Sequence, residues 1–314
     1  MTKPKAVIDV GSNSIKLYAT RAGPGGVLET LTDRVTVTAL AAGLERRGRL
    51  SAEAMERSCR VICGFLRTAE GLGCREIRAV GTMALRAAEN RQEFLARVRK
   101  ACGLDIEIIP GREEARLAYL GASGSFPFTG DPLVFDIGGG STEFMTGRAG
   151  KADRLITLSL GALTLTEKYL ASDPPLPREI RDAGEAIQAL LEEGGLPGEV
   201  EGLIGIGGTL TTMGSVQQEL PAYDPVLVHG FSLTRREVRE QIRLFAGKTL
   251  AERRLIPGMA PDRAPVILAG ALTVGEVMES LSAERVYISD RGLRHGVMEE
   301  LFSGEGTIFQ ETEG

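Results

Sequence analysis

Leu133-Val134-Phe135-Asp136-Ile137-Gly138-Gly139-Gly140-Ser141-Thr142-Glu143 is an apolar run that ends in an acid, followed by three glycines, two hydroxyls and a second acid. The run reads as a buried strand, and the glycines as a tight turn leaving it. Three consecutive glycines carry no side chains to hold a ligand off the backbone. Their N–H groups can therefore converge on an anion such as phosphate. Asp136 and Glu143 bracket that cradle with negative charge, which makes sense when a divalent cation lies beside the phosphate. The plainer alternative is a Gly-rich hairpin with no ligand.

The pattern recurs near the N-terminus. Ala6-Val7-Ile8-Asp9-Val10-Gly11-Ser12-Asn13-Ser14 is again an apolar strand, an acid and a small-residue turn with hydroxyls. Ile15 to Thr20 alternates as a strand and runs into a turn at Gly23-Pro24-Gly25-Gly26, as Glu143 to Thr146 runs into Gly147-Arg148-Ala149-Gly150. Two copies at domain spacing read as an internal duplication, one per domain, because a phosphate clamped from two sides needs one turn from each half. A third strand-to-glycine turn lies at Leu203-Ile204-Gly205-Ile206-Gly207-Gly208-Thr209. It lacks the third glycine of the dinucleotide fingerprint, and no GxxxxGK[ST] occurs in the chain. At a helix N-terminus it could still approach a phosphate, nucleobase or ribose.

The 314 residues are long for one core and suggest two domains. A net charge of −5 disfavours non-specific nucleic-acid binding, so a polyanionic substrate needs a local basic groove. No apolar signal core and no 18-residue apolar span is present, and a soluble cytoplasmic protein without a membrane partner is expected. Cys59 and Cys63 fall on one helix face, but nothing nearby completes a zinc set, so buried inert thiols are expected. His229 and His295 are the sole histidines, too few for a site built on several. His229 reads as a structural hydrogen-bonder.

Helical patterns are expected over 51–73 (capped at Ser51, with Glu53 in the first turn), over 83–100 and over 112–121. Strands are expected at 77–82 and 106–109. Gly121 to Gly130 reads as the crossover into the second domain. There follow a strand over 155–161, a helix over 176–193, a turn and short extended piece over 224–230, helices over 234–247 and 262–282, and a strand over 286–290. A closing helix runs to about Leu301, and the polar tail to Gly314 reads as loose. Arg112-Glu113-Glu114-Ala115-Arg116 opens the 112–121 helix. Its acids complement the helix dipole, with Arg116 on a solvated face; a carboxylate just before the second phosphate loop could also serve as general base for water.

Two acid-tipped glycine turns with a third Gly-Gly-Thr turn resemble the actin-like, Hsp70-like and sugar-kinase superfamily. Within it, IDVGSNSIKL (8–17), GTMALRAAEN (81–90), IPGREEARLAYLG (109–121), FDIGGGSTE (135–143), SLGALTLTE (159–167), GIGGTLTT (205–212), DPVLVHG (224–230) and SDRGLRHGV (289–297) resemble the exopolyphosphatase and guanosine pentaphosphate phosphohydrolase family, in order and over nearly the whole chain. Thr82-Met83-Ala84 departs from the family's Thr-Ser/Glu-Ala start, and the chain stops where longer members continue into a further C-terminal helical domain.

The resemblance implies an α/β fold of two ribonuclease-H-like (actin-like ATPase) domains with an interdomain cleft, the first over 1–120 plus 292–314 and the second over 121–291. It implies that Gly11, Ser12, Asn13 and Ser14 hold the terminal phosphate from one side and Gly138, Gly139, Gly140, Ser141 and Thr142 from the other. Arg86 would grip phosphate oxygens, and Gly207, Gly208 and Thr209 match the third loop. Glu114 falls at the catalytic-glutamate position, and Asp9, Asp136 and Glu143 would hold Mg²⁺ or the water. Arg263 and Arg291 are further candidates for a polyanion path. The implied reaction is Mg²⁺-dependent removal of the terminal phosphate of inorganic polyphosphate, or of guanosine pentaphosphate, by a homodimer. A guanosine polyphosphate sensor with little hydrolysis, and a sugar or carboxylate kinase, are the competing readings.

Overall fold

The computed structural model describes residues 3–23, 28–124, 126, 128, 130–148, 151–198 and 200–303. Within it the chain forms two compact units, Met1–Gly121 with Leu293–Gly314, and Ala122–Gly292.

The first unit is built on a five-stranded sheet of β1 (Lys5–Val10), β2 (Ser14–Ala22), β3 (Leu28–Val37), β4 (Glu76–Gly81) and β5 (Glu107–Ile108), in the order β3-β2-β1-β4-β5. β1 is antiparallel to β2 and parallel to β4. A strand buried on both faces reads as a continuous apolar run, and β1 serves two cores by alternation. Ala6, Ile8 and Val10 join the cluster under the Ala52–Gly71 and Arg91–Cys102 helices, with Ile62, Phe65 and Phe94. Val7 joins Tyr18, Val80, Ile109, Leu117, Val297 and Met298, beneath the Gly111–Ser123 and Leu293–Ser303 helices. Period two places Asp9 on the Val7 side, the side of the helix that carries Glu114.

The second unit has a six-stranded sheet of β6 (Leu133–Ile137), β7 (Thr142–Arg148), β8 (Lys151–Leu158), β9 (Leu203–Ile206), β10 (Ser232–Thr234) and β11 (Arg285–Ile288), in the order β10-β11-β9-β6-β7-β8. β6 is antiparallel to β7 and parallel to β9. Read from the meander outward, β8-β7-β6-β9-β11 repeats β3-β2-β1-β4-β5, the ribonuclease-H-like order of the actin-like fold. The core includes Leu133, Phe135, Phe144, Met213, Phe245 and Ile267.

Several elements differ from the sequence expectations. The single helix over 83–100 is two, Met83–Ala87 and Arg91–Cys102, with Ala88 extended between them. Asn90 accepts from Leu50 N (2.9 Å) and donates to Leu50 O (3.1 Å), a reciprocal bond that holds the break open. The strand expected over 155–161 ends at Leu158, and Gly161 caps the Ala162–Tyr169 helix. In the 224–230 stretch, Pro225–Val228 is a single helical turn capped by Asp224, and the 262–282 helix narrows to Ile267–Ser280. β3 and the Leu44–Arg47 turn were not anticipated. Ser51 does cap its helix, accepting from Ala54 N at 3.2 Å. Pro24, Gly25 and Gly26, Ala149 and Gly150, part of the 121–130 crossover and the 304–314 tail lie outside the described residues. The four cysteines are free, and burial pushes every thiol up, Cys102 to about 11. Among the described residues no helix is long and apolar enough to cross a membrane.

Candidate functional site

The two acid-tipped hairpins are built alike. In the first unit Val10 pairs with Ile15, and Gly11 N donates to Ser14 O at 3.1 Å. In the second, Ile137 pairs with Thr142, and Gly138 N donates to Ser141 O at 2.8 Å. The opening residue is glycine in both for one steric reason: a Cβ would stand 2.8 Å from Ser14 O at Gly11 and 3.1 Å from Ser141 O at Gly138.

Each loop is strapped from behind through its carbonyls. Asn13 O accepts from Thr38 N and Ala39 N, and Ser12 O from Ala41 N. Gly138 O accepts from Ala162 N, and Gly139 O from Leu163 N and Thr164 N, so the first turn of the Ala162–Tyr169 helix is closed by the glycine loop. Gly161 lies flat against that loop, where a Cβ would fall 2.1 Å from Gly139 O. With the carbonyls engaged, Gly139 and Gly140 remain exposed, and no described residue accepts from their N–H groups. This is the arrangement an anion requires.

In the first unit, Asp9 is buried and faces Lys16 across β1 and β2, with Lys16 Nζ 3.2 Å from Asp9 Oδ2. Glu114 lies in the first turn of its helix with its side chain 31% exposed, 2.7 Å from Arg86 Nη1. Arg86 Nη1 also donates to Ile109 O at 2.9 Å. Burial raises the Glu114 pKa above its usual value; Arg86 opposes the shift, Asp9 adds to it and Lys16 counters it. Asp9, Lys16, Arg86 and Glu114 therefore form one electrostatic group. Arg86, expected to grip phosphate oxygens, donates to the Glu114 carboxylate here. Lys16 was missed, although it occupies the same step after Asp9 as Glu143 does after Asp136.

In the second unit, Asp136 and Glu143 are cross-strand partners, and Ser141 Oγ donates to Glu143 Oε1 at 2.5 Å. Gly207, at φ 81°, follows β9 directly, and a Cβ there would lie 2.2 Å from Asp136 Oδ1. The carboxylate thus occupies the space a side chain would take. Arg263 lies over Gly208 in the same way, with Nη2 2.7 Å from the position of a Cβ. Two hydroxyls are turned away from this group. Thr142 is buried and donates to Leu160 O at 2.7 Å, and Thr209 is buried against Gly270.

His229, with a pKa lowered to about 4 by burial and then by Arg291, packs edge-on to Phe126 with Ser289 Oγ 3.5 Å away. Mg²⁺ prefers hard oxygen donors and is held by one or two carboxylates together with water and substrate phosphates. Like charges facing each other across a ladder are unfavourable unless compensated. Asp136 and Glu143 place two hard oxygen donors opposite each other at the end of the β6–β7 ladder, a donor set that fits the ion. Among the described residues no cluster of three or more metal-binding side chains occurs, and a substrate-assisted Mg²⁺ site does not need one.

The chain resembles known proteins over most of its length. The model of the Ppx/GppA phosphatase family matches residues 19–304. The chain is 30% identical to exopolyphosphatase 1 of Mycobacterium tuberculosis over 297 residues, covering 93% of this chain and 86% of that protein. It is 31% identical to guanosine-5'-triphosphate,3'-diphosphate pyrophosphatase of Photobacterium profundum, covering 95% of this chain and 59% of that longer protein. The crystal structure of the Aquifex aeolicus Ppx/GppA family member superposes with a TM-score of 0.88 at 32% identity, covering 97% of this chain and 99% of that one.

Proposed function

Since the chain belongs to the Ppx/GppA phosphatase family, and is thereby a hydrolase, we propose that it removes the terminal phosphate of inorganic polyphosphate, with Glu114 as the general base for the attacking water. The observation that carries this reading is the Glu114 carboxylate, fixed by Arg86 and raised in pKa by burial. A base poised nearer the working pH transfers protons more efficiently.

In the second unit, Gly139 and Gly140 offer their exposed backbone N–H groups to phosphoryl oxygens. Phosphoryl transfer needs positioning and charge stabilisation more than covalent help from the protein. Glu114 orients a water and takes its proton as the water oxygen bonds to phosphorus; the bridging oxygen leaves on the shortened chain. Asp136 and Glu143 would hold Mg²⁺, which when bound neutralises charge on the phosphate oxygens. Asp9 carries Lys16 as its counter-charge.

Identity with the Photobacterium profundum pyrophosphatase supports a second reading, a guanosine pentaphosphate phosphohydrolase, which breaks the same kind of bond. The deciding experiment offers long polyphosphate, short polyphosphate, guanosine pentaphosphate and ATP side by side with Mg²⁺. Phosphate release is expected fastest from polyphosphate. Faster release from guanosine pentaphosphate reverses the order of the two readings, and transfer to an acceptor from ATP would replace both with a kinase.

A further inference from the structure

The Leu293–Ser303 helix returns to the first unit and lies on the helix that carries Glu114. Its seating is unusually close: a Cβ on Gly296 would fall 1.9 Å from Leu117 O, so only glycine permits the contact. One turn on, and on the same face, stands Glu300, whose side chain is 11% exposed. Its carboxylate accepts from Arg78 Nη1 at 3.0 Å and from Arg116 Nη2. Arg116 in turn forks onto Glu113, with Nε 2.8 Å and Nη2 2.7 Å from the two carboxylate oxygens. Glu113 is the immediate neighbour of Glu114.

The first turn of this helix is thus held at two points. Arg86 grips Glu114 itself, and Glu300, through Arg116, fixes Glu113 beside it. A partly buried bidentate pair sets direction as well as distance. Loss of Glu300 leaves Arg116 and Glu113 paired only with each other, and of the two side-chain tethers on the first turn only Arg86 on Glu114 remains.

We propose that Glu300 is a positioning residue, which acts through Arg116 and Glu113 to hold the Glu114 carboxylate in line with its water. This rests on Glu114 being the general base. A misplacement of about 1 Å in a reacting group can cost about 10²-fold in rate. Glu300→Gln is therefore expected to lower kcat on polyphosphate by about tenfold or more while KM changes less than about twofold.

Arg116→Lys, which keeps the charge and loses the fork, is expected to behave alike and gives the reading should Glu300→Gln fail to fold. Asp33→Asn is the comparison. Asp33 clamps the same closing helix through Arg294, at 3.1 and 2.9 Å, but does not touch the Glu114 helix through any of these bonds. It is expected to lower the melting temperature and leave kcat in place. Normal kcat in Glu300→Gln overturns the proposal, as does a kcat loss in Asp33→Asn that matches it at equal loss of melting temperature. Glu114→Ala, run alongside, tests the parent reading: if that variant keeps its activity, the assignment of the base fails whatever Glu300 does.

Discussion

A carboxylate proposed to take a proton from water gains from a raised pKa, and burial, opposed by Arg86, raises that of Glu114. Because its pKa is raised in the folded state, the stability it contributes is complete below the unfolded value of about 4.3 and is lost as pH rises through the folded value. At neutral pH the charged form therefore weighs against the fold. Glu114→Gln is expected to cut phosphate release by about 10²–10⁴-fold while melting no lower than the parent at pH 7, a gain that disappears in acid. Melting curves beside phosphate-release assays check both halves. At this scale the sequence was readable where an acid lay beside a glycine turn, near the end of a strand at Asp9 and Asp136 and at the start of the next one at Glu143. It was less readable for hydroxyls. Thr142 adjoins Glu143 in β7, and alternation sends its side chain to the opposite face, so a motif letter did not reveal its direction. Lys16 was visible only to a comparison of the two hairpins step by step.

Among the elements, the glycine loop and the Ala162–Tyr169 helix are one piece. Gly161→Ala would drive a methyl into Gly139 O, and the loop must move to admit it. Overpacking of this kind costs about 1–3 kcal/mol. A lower melting temperature and a higher KM for polyphosphate are expected, with steady-state kinetics as the check. A second prediction concerns His229, held neutral with a pKa of about 4. Its folded value is depressed, so the stability it contributes is present above the unfolded value of about 6.5 and is lost as pH falls toward about 4. Melting temperature should decline across that window in the parent and more shallowly in His229→Gln. The strands that carry the loops were legible because buried runs and glycine turns are local signals. The break at Ala88 was not, because its cause is Leu50, a partner distant in sequence, and tertiary contacts override helical propensity. β3 escaped notice because it is an edge strand with Val35 and Val37 exposed, so it lacks the one-sided apolar pattern.

For the whole molecule, a net charge of −5 sets a polyanionic substrate against the global field, and affinity must come from local cations and backbone donors. Such attractions are screened at high ionic strength, so KM for polyphosphate is expected to rise with salt while kcat holds. Chelation of divalent ions is expected to abolish phosphate release, with Mg²⁺ restoring it; full activity in excess chelator would remove the metal from the assignment. The repetition of sheet order was foreshadowed by two similar strings of letters, and it has a consequence for redesign. At one register position the first half sets Lys16 across from its acid, while the second sets Glu143 there. Grafting one hairpin onto the other would therefore be no neutral swap, because it exchanges an acid–base pair for a pair of acids and reverses the charge offered at the turn.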